Sequence, residues 1–464
     1  MAERDYDLII LGSGPGGYVA GIRAGQLGLR VAVVEKDPKY GGTCLLRGCI
    51  PTKALLHTAA VLDEIRAAGG LGIEVAPPAL DMARAQARKQ EVVDSNSKGV
   101  SFLFKKNKVD GLHGRGRLAG PGKVEVEGED GTRTYAAKNV LIATGSVPRA
   151  IPVVSTDGER VIDSDHILEL DRVPKSLAVL GAGAVGTEFA SIFRSFGSEV
   201  TVIEMLDRVL PMEDEEVSKE LARQFRKRGI TAWTGTRLTA AEVGEGGVTM
   251  RFEGRDGTLE AELLLVAVGR APVTDGIGLD TVGIATEKGY IKTDEFMRTS
   301  AEGVYAIGDV VTAGPWLAHK ASAEGILAVE HLAGHPTRPL HYERVPSVVY
   351  TDPEVGSVGL TEAEARERGY DVAIGKFPFT ALAKAKIEGK TAGFVKIVRD
   401  TKYDEILGVH IVGAHATDLI AEACVALSVE ATVEELFRTV HAHPTLAESV
   451  MEAAHAAHGA AIHI

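Results

Sequence analysis

The sequence predicts an α/β protein in which two parallel-sheet domains of one design precede a C-terminal α+β domain. Three observations predict it. A strand, a glycine-rich turn, a helix and a second strand ending in an acid occur twice. Each copy is followed by a hairpin signal and an apolar strand that ends in glycine. After about residue 345 the repeat stops and strand-like stretches mix with helices.

The first copy opens with Tyr6-Asp7-Leu8-Ile9-Ile10-Leu11, a short buried-strand pattern, and runs into Gly12-Ser13-Gly14-Pro15-Gly16-Gly17. A helical stretch leads to Val31-Ala32-Val33-Val34 and Glu35. The second copy reads Leu177-Ala178-Val179-Leu180, then Gly181-Ala182-Gly183-Ala184-Val185-Gly186, then Val200-Thr201-Val202-Ile203 and Glu204. Glu35 stands 23 residues after Gly12, as Glu204 does after Gly181. Asp130-Gly131-Thr132 and Asp256-Gly257-Thr258 read as hairpin turns, each leading to a small meander. The apolar strands 140–145 and 263–269 close the two copies. Beyond them, 345–350, 393–398 and 406–412 read as strands, and Thr361…Glu364 and Thr432…Glu435 fit capping boxes. The expected division is 1–149, 150–273, 274–344 returning to the first domain, and 345–464.

Each glycine turn has the chemistry of a phosphate cradle. The first glycine permits the tight turn, the second lets the backbone approach a pyrophosphate, and the third lets the helix pack on the strand. The helix N-terminus favours the anion, and the acid ending the second strand accepts from ribose hydroxyls. Two Rossmann-like dinucleotide sites follow, on Gly12, Gly14, Gly17 and Glu35, and on Gly181, Gly183, Gly186 and Glu204. A 2′-phosphate beside Glu204 would be repelled, and no basic residue follows until Arg208. The second site is therefore expected to take NAD rather than NADP.

Composition narrows the classes. Lys and Arg number 51 and Asp and Glu 64, a net charge of −13, which gives no attraction to nucleic acid or an anionic membrane. No apolar run reaches the ~18 residues of a membrane span. The charged start, Met1 to Tyr6, resembles neither a secretory nor a transit segment, so the chain is expected to be complete and cytoplasmic. Three cysteines make no structural disulfide framework.

Two of the three lie in Gly41-Gly42-Thr43-Cys44-Leu45-Leu46-Arg47-Gly48-Cys49-Ile50-Pro51-Thr52-Lys53. A zinc site, two inert thiols and a redox disulfide are the readings open to them. Zinc needs two more ligands, and only His57 is near. A disulfide needs a distorted backbone: five residues of regular helix rise about 7.5 Å, against a Cα separation of ~4.4–6.8 Å. Gly48 can supply an unusual φ, and Pro51 suits the first turn of a following helix. Cys49 would then lie near a helix N-terminus, which favours its thiolate, with Arg47 and Lys53 adding positive charge. Cys424 reads as a buried core residue. His455 and His458 read as surface residues, and no metal site is expected.

These motifs resemble the flavin disulfide reductases, and among them the dihydrolipoyl dehydrogenases. The likeness runs through the whole chain. It includes both fingerprints, the cysteine segment 41–49, Ala143-Thr144-Gly145, Val268-Gly269-Arg270, Ala306-Ile307-Gly308-Asp309, Leu317-Ala318-His319-Lys320, and His441-Ala442-His443-Pro444-Thr445 with Glu448. The resemblance implies FAD on the first fingerprint, with Glu35 on its ribose, Lys53 near the flavin ring and Asp309 on the ribityl chain. Gly42, Thr43, Gly116, Thr144, Gly145 and Ala318 would line the same site. NAD would lie on the second fingerprint and Glu204, with Glu188 near the nicotinamide, and Gly269 would also bind cofactor. Cys49 would be the thiolate facing the flavin and Cys44 the sulfur that exchanges with substrate.

His443 and Glu448 would be the catalytic base and its orienting acid. Thr445…Glu448 also fits a capping box for the last helix. The same likeness implies a homodimer in which His443 reaches the partner's flavin site, and a C-terminal dimerisation domain. It implies oxidation of protein-bound dihydrolipoamide, with the lipoyl and peripheral subunit-binding domains of a 2-oxo acid dehydrogenase acyltransferase as partners. Alternatives are a reductase of another small disulfide, such as glutathione, using NAD(P)H, and a non-catalytic flavoprotein. The chain departs from the family pattern at Leu46-Arg47 between the cysteines, where Arg47 is expected to act on the thiol pKa. It departs again at Trp316, where Met is usual, and in a loop from Asp309 to Ala318 that is one residue longer.

Overall fold

The computed structural model describes residues 5–464. The chain divides into two units. The first comprises the chain up to Leu55, with Ala83–Arg149 and Arg270–Tyr342; the second comprises Leu56–Met82, Ala150–Gly269 and Glu343–Ile464.

In the first unit, strand β1 (Tyr6–Leu11) pairs in parallel with β2 (Val31–Glu35) on one side and with Gly131–Ile142 on the other; Val109–His113 and Val304–Ala306 extend the parallel set. The start of Gly131–Ile142 turns back on Lys123–Gly128, which pairs with Arg115–Leu118, to make the antiparallel meander. A strand's side chains alternate between faces, and β1 divides accordingly. Ile9 and Leu11 join Val124, Val126 and Leu118 of the meander in one core, while Leu8 and Ile10 join Ala20 and Ala24 of helix α1 (Pro15–Gln26) in another. Both faces are covered, which is why β1 reads as a continuous apolar run. Helix α1 lies against the helix Ala318–Leu332 at glycine contacts: a Cβ on Gly325 would come 2.7 Å from the Gly16 carbonyl oxygen.

The second unit repeats the design. Its parallel sheet runs Ile230–Trp233, Glu199–Ile203, Ser176–Leu180, Leu263–Val266, Val161–Ile162, with a meander of Leu238–Gly244, Gly247–Phe252 and Arg255–Ala261. One expected turn falls elsewhere. Asp256-Gly257-Thr258 lies within a strand, because Phe252 pairs with Arg255 and the chain reverses at Glu253-Gly254, where Gly254 has φ +68°.

The same unit holds an antiparallel sheet in the order Ser347–Val349, Glu354–Gly359, Ile406–Gly413, Phe394–Asp400, Val372–Pro378. Helices Ala416–Ser428 and Glu448–Ala457 pack into its core through Ile420, Ala423, Val450 and Ala453. The two capping boxes form as expected, Thr361 with Glu364 and Thr432 with Glu435. Cys424 is half-buried at the edge of this core rather than inside it. Among the described residues, no helix is long and apolar enough to cross a membrane.

Candidate functional site

The two glycine turns answer the same structural question in the same way. A Cβ on Gly12 would lie 2.4 Å from the Ala143 carbonyl oxygen, and on Gly181 2.4 Å from that of Ala267. On Gly17 it would lie 1.9 Å from the Gly12 oxygen, and on Gly186 2.0 Å from the Gly181 oxygen. The protein's own packing therefore demands the outer glycines. The middle ones, Gly14 and Gly183, would meet nothing within 4 Å. They cap the helices Pro15–Gln26 and Ala184–Phe196 with no side-chain hydrogen bond. An open glycine at an uncapped helix N-terminus is the form of a pyrophosphate cradle. The residues fit a dinucleotide in both copies.

The two acids match as well. Glu35 accepts the backbone N–H of Ser13 at 3.0 Å on one oxygen and that of Asp37 at 2.8 Å on the other. Glu204 accepts those of Ala182 and Leu206 at 2.8 and 2.9 Å. Each carboxylate is thus clamped by two N–H groups and keeps lone pairs for ribose hydroxyls. Beside Glu204 stand exposed Met205 and Leu206, while Arg208 donates to the Pro211 carbonyl. Ser13, which the sequence reading passed over, ties the first site together: its hydroxyl donates to Glu35 at 2.6 Å and accepts from Gly41 N–H at 3.1 Å.

That contact brings in the cysteine segment. Gly42, with φ +58°, packs so closely that its Cβ would be 2.5 Å from the Gly14 Cα. Helix α2 (Gly42–Arg47) carries Cys44, and helix α3 (Cys49–Ala67) starts at the second cysteine, with Pro51 in its first turn. The break falls at Gly48 as expected, but for a different reason. Its φ is −142°, and glycine is needed because a Cβ would come 2.9 Å from the Thr43 carbonyl oxygen and 3.2 Å from the Cys44 Cα. The close approach folds one cysteine over the other.

Both cysteines are thiols here, and their side chains hydrogen-bond. That bond to Cys49 pushes the Cys44 pKa up, burial adds to it, and the Lys53 charge offsets only part. Cys44 therefore holds its proton, while Cys49 sits at a helix N-terminus, where a thiolate is favoured. The Arg47 expectation is corrected. Its guanidinium pairs with Asp37, and the cation acting on Cys44 is Lys53.

The remaining residues expected around FAD divide by role. Thr144 donates to the Val273 carbonyl at 2.7 Å, and Gly145, with φ +71°, accepts from Val273 N–H at 2.9 Å. Asp309 accepts from Ser146 Oγ at 2.6 Å, and that hydroxyl accepts from Arg270 at 2.7 Å. Gly116 is small because Val34 and Leu11 press on it, at 2.8 and 2.9 Å from a Cβ. Ala318 opens the helix Ala318–Leu332. Trp316 stacks on Tyr290, with ring centroids 5.6 Å apart.

In the second unit, Glu188 is buried and accepts from Tyr350 N–H at 3.0 Å. Gly269 has φ +102°. His443 Nδ1 donates to Glu448 at 2.8 Å, and its ring is 72% exposed, so Nε2 is open to a reactant. The other Glu448 oxygen accepts from Thr445 N–H at 2.8 Å. Only this half of the expected capping box forms, since Thr445 Oγ donates to the Ala442 carbonyl and Ala447 caps the helix. Burial pushes Glu448 up, but the Thr445 N–H and His443 outweigh it and hold the carboxyl below its usual range. His441, near-buried, is fastened to Glu422 at 2.7 Å, a second tie on the loop carrying His443. His455 is half-buried against Phe437, and His458 is exposed and bonds Asp404 at 2.9 Å.

These sites define a class: a two-dinucleotide oxidoreductase built around a cysteine pair. Residues 6–325 match the pyridine nucleotide-disulphide oxidoreductase family and residues 345–454 its dimerisation domain. The chain belongs to that family. As a member it is a flavin enzyme with FAD and NAD as cofactors, and its dimerisation domain makes it a homodimer. It is 47% identical to the dihydrolipoyl dehydrogenase of Bacillus subtilis, covering 99% of both chains. It is 45% identical to dihydrolipoyl dehydrogenase 3 of Pseudomonas putida, covering 99% of this chain and all of the relative. Among solved structures, LpdA from Mycobacterium tuberculosis superposes with a TM-score of 0.90 at 30% identity, covering 96% of this chain and 98% of that one.

Proposed function

We propose that this protein oxidises protein-bound dihydrolipoamide to lipoamide and passes the two electrons through Cys44–Cys49 and FAD to NAD, as a component of a 2-oxo acid dehydrogenase complex. The observation that carries the reading is the placement of the cysteine pair. Gly48 lets the two segments close so that the Cys44 and Cys49 side chains hydrogen-bond, and only Cys49 starts a helix. Two sulfurs so placed have separate tasks, one exchanging with substrate and one leaving as a thiolate.

The cycle starts from the Cys44–Cys49 disulfide. Only a thiolate attacks, so the substrate dithiol needs a base. His443, oriented by Glu448, takes the first proton through Nε2. The substrate thiolate bonds to the Cys44 sulfur, the S–S bond breaks, and Cys49 leaves as the thiolate its helix favours. The second substrate thiol gives up its proton and closes on the first substrate sulfur. Cys44 leaves and takes the first proton from His443, which accepts the second substrate proton in its place, so lipoamide departs and the protein keeps two electrons on its cysteines, with one proton on Cys44 and one on His443. Bound FAD and NAD supply the onward two-electron and hydride chemistry.

The residues expected around FAD would hold it, with Lys53 toward the ring and Asp309 toward the ribityl chain; Glu188 and Gly269 would flank the nicotinamide. His443 acts on the pair of the partner subunit, which the match to a dimerisation domain supports. The lipoyl and peripheral subunit-binding domains of an acyltransferase are the proposed partners, in the cytoplasm.

The test is steady-state reduction of NAD by dihydrolipoamide with wild type and Cys44→Ser. Robust turnover that vanishes in the variant supports the reading. A folded, FAD-loaded wild type inert toward dihydrolipoamide but active on glutathione disulfide with NADPH would replace it.

A further inference from the structure

The helix Ala318–Leu332 carries two charged groups that the proposed cycle leaves idle. Lys320 and Glu324, one turn apart, have no solvent exposure, and their charges lie 3.3 Å apart. Burial pushes the Glu324 carboxyl above its usual range. Exchanging a buried ion pair for apolar side chains of similar size is often neutral or stabilising, so stability alone does not account for this one.

What the pair does that apolar side chains could not is grip one residue by both of its backbone groups, in the two peptide units that flank its Cα. Glu324 accepts the Gly308 N–H at 2.7 Å, and the Lys320 ammonium donates to the Gly308 carbonyl at 3.0 Å. The ammonium also reaches the Ala313 carbonyl at 3.3 Å, so its three hydrogens are all used. Tyr342 donates to the second Glu324 oxygen at 2.8 Å. Gly308 has φ +79°, and the next residue is Asp309. The same helix abuts the first glycine turn, where a Cβ on Gly16 would lie 3.1 Å from the Ala321 carbonyl oxygen. One helix thus sets both the fingerprint turn and the Gly308-Asp309 turn.

We propose that Lys320 and Glu324 are positioning residues for FAD, holding Gly308 by its N–H and its carbonyl so that Asp309 is presented to the ribityl hydroxyls. The proposal rests on the reading of Asp309 as a ribityl contact.

The measurement is FAD affinity of the apoprotein, by flavin fluorescence titration, beside its thermal midpoint. Lys320→Met weakens FAD at least about tenfold, the scale of losing charge-assisted hydrogen bonds. The double variant Lys320→Met/Glu324→Met leaves no unpaired buried ion; its midpoint returns toward wild type while FAD affinity stays low. Tyr342→Phe loosens the network without touching Gly308, so it lowers the midpoint and leaves affinity within about twofold. Affinity that recovers with stability in the double variant, or falls with it in Tyr342→Phe, makes the pair a stabiliser only and overturns the proposal. Asp309→Ala separates the premise: wild-type affinity there removes the reading of Asp309, whatever the other variants do.

Discussion

Replacing Gly375 with alanine should damage both the fold and the proposed base. Gly375 lies in the edge strand Val372–Pro378 and faces the last helix, Glu448–Ala457. Its φ is not positive, so alanine suits the backbone and only space forbids it. A Cβ would stand 2.0 Å from the Ala453 carbonyl oxygen, 2.5 Å from the Ala457 nitrogen and 2.7 Å from the Ala457 Cβ. Ordinary contact begins near 3.4 Å, so strand and helix must part by roughly 1.4 Å along the closest line. The helix has no slack, because Val450, Ala453, Ala454 and Ala457 are all buried in the core. Overpacking of this kind costs about 1–3 kcal/mol, and the stiffer unfolded chain returns about 0.4–1.

A net loss of about 1–2 kcal/mol is expected in chemical denaturation. The helix begins at Glu448, which orients His443. A displacement near 1 Å at a catalytic group costs about a hundredfold, so kcat with dihydrolipoamide should fall by that order. A destabilised variant with undiminished kcat would refute the link between this contact and the base. An unchanged denaturation midpoint would refute the packing argument itself.

Three further outcomes are expected. His443→Gln should lower kcat by about 10²–10⁴-fold while FAD absorbance is retained, since it removes the base and leaves the first unit intact; full turnover would displace His443 from the mechanism. NADP should support turnover at least about tenfold less well than NAD, and Glu204→Gln should narrow the gap by relieving repulsion of the 2′-phosphate; equal use of both by wild type would end that argument. In acid, buried Lys396 should lose its partners Asp214, Glu216 and Glu362, at 3.1, 2.9 and 2.8 Å. Burial pushes Asp214 and Glu216 up, but His410 and Lys396 outweigh it for Asp214, and Lys376 and Lys396 for Glu216; for Glu362 the Lys396 hydrogen bond leads. All three end below their ordinary values of 3.8 and 4.5, so their contribution is complete above about pH 4.5 and is lost as pH falls through the lower folded values. Unfolding midpoints recorded from pH 7 to 3 should drop below pH 4.5, and in Lys396→Met that drop should be shallower; equal acid slopes would count against the cluster.

Much of the architecture was legible because it is local. The two fingerprints announce themselves by glycine spacing and by apolar runs that feed both faces of a sheet. The strands 354–359 and 372–378 are not legible in the sequence, and one feature explains both. Each carries a glycine where a helix crosses: a Cβ on Gly356 would lie 2.5 Å from the Ala416 carbonyl oxygen, as Gly375 meets Ala453. Glycine weakens the strand signal, and its reason lies on an element some 60 to 80 residues away in the sequence. The second hairpin slipped for the opposite reason: two Gly-containing turn signals, 253–254 and 256–257, lay side by side, and strand register chose between them.

By itself, the sequence determined the repeat, the three-part α/β and α+β architecture, the cysteine pair and the type of chemistry, because these depend on residue kind and on short, periodic spacing. Tertiary structure decided which partner each charged group meets. Arg47 turns to Asp37 and leaves Lys53 as the cation beside Cys44; Glu448 divides its oxygens between Thr445 and His443; Glu188 is held by Tyr350. Lys320 and Glu324 close on Gly308. A charge acts on whatever lies within a few ångströms, and that neighbour is set by how distant segments pack.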